Sequence, residues 1–135
     1  MTTQRLFAAT LLLICAGFAS AQKPDDILKA AAKLEPDQIE RIKEYKKYSS
    51  DKDVRQRADQ QERLAGLDHP EAAMLLVTSG LRDDTYRVYE KAIWALSRHK
   101  SEGSVGIARA FLKTGSDEVR AGCALALSKM TPKPE

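Results

Sequence analysis

The sequence predicts an all-α protein, a short α-solenoid of antiparallel helical hairpins with about seven helices. Three observations lead there. Residues 69–130 repeat on themselves at a spacing of 31 with no gap: Glu71 falls on Glu102, Leu81 on Leu112, Val88 on Val119, and Ala95-Leu96-Ser97 on Ala126-Leu127-Ser128. Chemical class also matches at Met74/Val105, Leu76/Ile107, Val77/Ala108 and Ala92/Cys123. A fixed period of roughly 20–50 residues is the signature of stacked repeats. Elsewhere, apolar residues recur at i, i+3, i+4 and i+7, and no alternating run is long enough for a strand. Finally, every link between these stretches is short, as antiparallel helical neighbours require.

Residues 1–21 read as a signal peptide. Arg5 supplies the positive end, Leu6–Phe18 an apolar run, and Ala19-Ser20-Ala21 the small-x-small cleavage pattern. Spanning a bilayer takes about 20 apolar residues, so the run is too short for a stable anchor. Ile14, before Cys15, is larger than the residue a bacterial lipoprotein signal carries there. The chain is therefore expected to be exported, periplasmic or extracellular, and to start at Gln22. Cys123 would then be the remaining cysteine, excluding an intramolecular disulfide. Its small apolar neighbours mark it as a core thiol.

Residues 22–135 are expected to form one domain. A first helix over 24–34 opens with Pro24 and two aspartates and shows Ile27, Ala30, Ala31 and Leu34 on one face. Glu35-Pro36 breaks it, because a residue before proline avoids the helical region. A second helix runs from Pro36 to Tyr48 with Ile39, Ile42 and Tyr45 in a stripe; its other face is Glu and Lys, a solvated face. Ser49-Ser50-Asp51 ends it and caps the next. The third, Lys52–Leu67, is very polar and offers Val54, Ala58, Leu64 and Leu67 to a core. His69-Pro70 starts a fourth helix ending near Leu81. Asp83-Asp84 turns into a fifth, Thr85–His99, whose last turn carries Arg98, His99 and Lys100, cations suited to a helix C-terminus. Ser101–Lys113 and Asp117–Met130 complete the set. Repeats then cover 69–98 and 101–130. The more polar pair over 36–67 serves as a degenerate third unit and cap, with helix 24–34 packed on that end. The matched residues Leu81, Val88, Leu96, Leu112, Val119 and Leu127 should be the best-buried large side chains.

Asp117-Glu118-Val119-Arg120 followed by Cys123, Ala126 and Leu127 resembles the HEAT-like repeat family, in the short form also found in phycobilisome lyases. Leu81, Val88, Ala92, Ala95 and Leu96 keep the same spacing. Asp53-Val54-Arg55 and Ala58 begin the pattern again, but Gln61 and Glu62 stand where Ala and Leu belong. Tyr89 replaces the family arginine, which removes one rung of the usual side-chain ladder. The resemblance implies a fold and a scaffold for interactions. Its lyase branch is an analogy of fold alone.

Composition is that of a globular chain, 43% hydrophobic and 30% charged. Net charge is +3, without the clustered excess of Lys and Arg that nucleic-acid binding needs. His69 and His99 lack a spaced metal partner, so no metal site is expected. Nor is there a haem attachment motif, a phosphate loop or a nucleophile elbow. The expected protein is non-catalytic and carries no cofactor. The alternative is a small ligand-binding protein or lyase-like enzyme using a groove between helices.

One position breaks the pattern. Six residues after the repeat valine, where the family carries a polar residue, stand Trp94 and Leu125. At about 100° per residue, Trp94 lies about 120° from Val88 and off the Ala92/Ala95 seam. Tyr86 and Glu90 share its face, and Arg98 adds charge to the rim. Either another segment covers this face or it meets a partner. As a surface, Tyr86, Glu90, Trp94, Arg98 and Leu125 would bind another protein or a second copy.

Overall fold

A computed structural model describes residues 22–130; segment 1–21, expected from sequence to be a signal peptide, lies outside the described residues. The described chain is all-α. Its helices are α1 (Pro24–Ala30), α2 (Pro36–Tyr48), α3 (Val54–Arg63), α4 (Pro70–Thr78), α5 (Tyr86–Ser97), α6 (Glu102–Thr114) and α7 (Asp117–Met130). Single 3₁₀ turns, Leu64–Gly66 and Gly80–Arg82, follow α3 and α4.

The helix starts follow from local chemistry. Proline occupies the first turn of α1, α2 and α4, where no partner is needed for its absent N–H. The Glu35 amide donates to Gln38 Oε1 at 2.9 Å, Asp53 caps α3 through the Arg55 amide, and Ser101 caps α6 through Ser104. His69 caps α4, its Nδ1 accepting from the Glu71 amide. Three helices end earlier than their apolar pattern, α4 among them at Thr78, with Leu81 in the 3₁₀ turn that follows. In α1 the backbone turns extended at Ala31, so Leu34 lies in a link. In α3 the last turn tightens to 3₁₀ geometry, yet Leu64 and Leu67 are still buried.

From α3 onward, helices two apart in sequence lie side by side. The α3, α5 and α7 helices form one row, and α4 packs along α6. The α2/α3 and α6/α7 hairpins join neighbours. This pattern is compatible with a short solenoid. The first helix departs from expectation. Instead of closing the 36–67 end, α1 packs on α6 and α4. Gly106 makes the room, since a Cβ there would lie 3.0 Å from Ile27 Cδ1.

The core runs along the seam of the rows. Leu81, Val88, Leu96 and Val119 are at most 1% exposed. Leu112 and Leu127, expected to match them, are only half-buried. They belong to the last described hairpin, and no further described hairpin packs beyond it. Gln61, at the place that Ala95 holds in the next hairpin, is fully buried, accepting from Tyr45 Oη and donating to the Arg57 carbonyl. Gly80 packs against it so closely that a Cβ would come within 2.4 Å of Gln61 Oε1 and 2.5 Å of Ala92 Cβ.

Polar side chains tie successive hairpins. Arg57 on α3 donates from Nε to Asp83 at 2.9 Å and from Nη2 to Thr85 Oγ1 at 3.0 Å. Asp68 accepts from the Lys100 and Ser101 amides and from the Ser101 hydroxyl. Tyr89, at the place that Arg120 holds one repeat later, donates its hydroxyl to the Glu118 carbonyl at 2.7 Å.

Candidate interaction surface

Four large hydrophobic residues are exposed among the described residues: Ile39, Tyr86, Trp94 and Leu125. Three of them belong to the surface expected from sequence. Helical geometry puts them there. On α5, Val88, Ala92, Ala95 and Leu96 face the seam, which turns Tyr86, Glu90 and Trp94 outward. On α7, Val119, Cys123 and Ala126 do the same for Leu125. The repeat extends to fine detail: the Ser97 hydroxyl donates to the Trp94 carbonyl and the Ser128 hydroxyl to the Leu125 carbonyl, both at 2.6 Å.

Trp94 is 42% exposed and set between two cations. Lys91 Nζ lies 5.6 Å from the ring centroid and the Arg98 guanidinium carbon 5.8 Å, both within cation–π reach. Arg87, Glu90 and Lys91 line a cleft of about 310 Å³ beside it. Lys91 also approaches Glu62 on α3 at 3.7 Å. Arg87 and Lys91 were absent from the sequence reading, although Lys91 stands one helical turn before Trp94, the spacing at which side chains meet.

Tyr86 belongs to a different neighbourhood. Eight residues of helix separate it from Trp94, about 12 Å along the axis. Its ring lies 6.3 Å from that of Tyr89, and both line a cleft of about 430 Å³ with Asp83, Asp84, Asp117 and Glu118. The surface therefore has a cationic end around Trp94 and an acidic, tyrosine-lined end around Tyr86.

His99 and Cys123 lie in the core rather than on this surface. His99, expected as one of the cations in the last turn of the fifth helix, lies just beyond α5 and is fully buried. Its Nε2 donates to the Leu64 carbonyl at 2.8 Å, and Nδ1 lies 3.1 Å from Ser104 Oγ, which also contacts Asp68 Oδ1 at 3.0 Å. Burial pushes the His99 pKa below its ordinary 6.5, against the Leu64 bond and the Asp68 charge. Cys123 is a buried free thiol whose pKa burial pushes up to about 12, so it stays protonated and unreactive at neutral pH. No group of His, Cys, Asp and Glu among the described residues could hold a metal.

No protein-family profile matches the chain, and no characterised protein sequence matches it. No helix among the described residues is long and apolar enough to cross a membrane.

Proposed function

We propose that the protein is an exported, non-catalytic helical-repeat module of HEAT-like type that binds another protein, or a second copy of itself, through the outer face of α5 and α7. The observation that carries this reading is Trp94: a large aromatic residue, 42% exposed, between Lys91 and Arg98, with exposed Leu125 at the equivalent place in the next hairpin. Tryptophan and arginine dominate interface hot spots, and an aromatic anchor inside a charged rim is their usual setting. Helical stacks present such faces as extended surfaces. Export rests on Arg5, the Leu6–Phe18 run and Ala19-Ser20-Ala21. Intact mass of protein from its host should show Gln22 first; soluble cytoplasmic protein retaining Met1 would refute export.

The binding test is the double substitution Trp94→Ala with Leu125→Ser. Sedimentation velocity reads self-association. Capture from the envelope fraction, followed by binding of the purified captured protein, reads a partner. Association should be lost while the melting curve stays nearly unchanged. A collapse in stability would place both residues in the core and end the proposal.

A further inference from the structure

A groove of about 640 Å³ opens between the link after α1, one face of α2 and the first turn of α4. It shares no residue with the Trp94 surface, and nothing in the interaction reading depends on it. The groove follows from the course of α1, which packs on α4 and α6. His69 holds one wall in place. Its Nε2 donates to the Ala32 carbonyl at 2.7 Å, while Nδ1 takes the Glu71 amide.

The floor is aliphatic, made of Leu28, Leu34, Ile39 and Ile42. Ile39 is 40% exposed and so offers area still open to water. Apart from the His69 imidazole in the wall, no aromatic ring, hydroxyl or amide side chain among the described residues lines the groove. Along the rim stand Lys29, Lys33, Lys43 and Lys46, against the single carboxylate of Glu71. One of these, Lys43, also reaches Glu40 at 3.1 Å in a solvent-exposed pair.

We propose that this groove binds a single-chain anionic amphiphile, a fatty-acyl carboxylate. The alkyl chain lies on the aliphatic floor and the carboxylate sits among the lysines. The volume falls within the roughly 300–1,000 Å³ usual for small-ligand sites. A floor without polar side chains selects by apolar area, which suits an alkyl chain. Lysine is a compact charge on a flexible stem, so a ring of lysines accepts an anionic head without imposing one geometry. The lysine excess supplies the charge complementarity.

Titration calorimetry of the purified protein with dodecanoate, below its micellar range, tests this. Saturable one-site binding is expected, strengthening about two- to fourfold for each added methylene. Lys29→Glu with Lys46→Glu should weaken it by about tenfold or more. Ile39→Asp should remove it with the melting curve unchanged, while Trp94→Ala should leave it intact. The proposal fails if dodecanoate shows no saturable binding. It fails equally if neutral dodecyl maltoside binds as tightly, if only an acidic peptide binds, or if the lysine reversals change nothing.

Discussion

Tyr45 on α2 and Gln61 on α3 meet inside the core, the phenol donating to Gln61 Oε1 at 2.8 Å. A weaker 3.3 Å contact joins the same hydroxyl to the Leu75 carbonyl on α4. Tyr45 thus fastens the first hairpin to the rest of the fold at one buried oxygen.

Tyr45→Phe should cost about 1–3 kcal/mol, the penalty of leaving a buried acceptor unsatisfied. Gln61→Leu with Tyr45→Phe should recover most of that loss, because removing both partners leaves no orphan. A double-mutant cycle by denaturant unfolding measures the coupling. Additive effects would mean that the two groups do not share their bond in solution.

Leu96→Ala should cost about 2–5 kcal/mol, as usual for a buried leucine. Leu127→Ala, at the repeat-equivalent but half-buried place, should cost clearly less. Melting temperatures of the two variants give the order, and equal losses would show that α7 is covered in solution.

Acid should weaken the fold in two stages. The His99 pKa is depressed chiefly by burial, so the folded state binds fewer protons than the unfolded chain. That stability is complete above 6.5 and is lost as pH falls through the lower folded-state value. At Asp68, burial acts to raise the pKa but is outweighed by bonds from Ser101, the Lys100 amide and Ser104, which hold it below 3.8. Its contribution is complete above 3.8 and is lost as pH falls below that. His99→Gln should lower the melting temperature near neutrality and flatten the decline that sets in as pH falls below 6.5. An unchanged slope in that window would refute the assignment.

The repeat was legible because it is written in spacing: Val88 and Val119, Ala95 and Ala126 recur at one interval, and their burial follows from helical geometry. Trp94 stood out because a polar position carried a large aromatic residue. The burial of Gln61 and His99 was not legible. Each is polar by type and becomes a core residue only when Tyr45, 16 residues from Gln61, and Leu64, 35 residues from His99, supply the partners. The seat of α1 was hidden for a similar reason. Gly106, which admits Ile27, carries no signal of its own in a helix.

The ties between hairpins differ in chemistry: a guanidinium on a carboxylate at Arg57–Asp83, a carboxylate on two amides at Asp68, and a phenol on a carbonyl at Tyr89–Glu118. The units are alike in their packing residues and unlike in their fasteners. Asp68 and Tyr89 end on backbone groups that any unit supplies, whereas the Arg57–Asp83 tie needs a particular side chain on both sides. The last hairpin set in the place of its predecessor would bring Thr114 to where Asp83 stands, and Arg57 would lose its carboxylate.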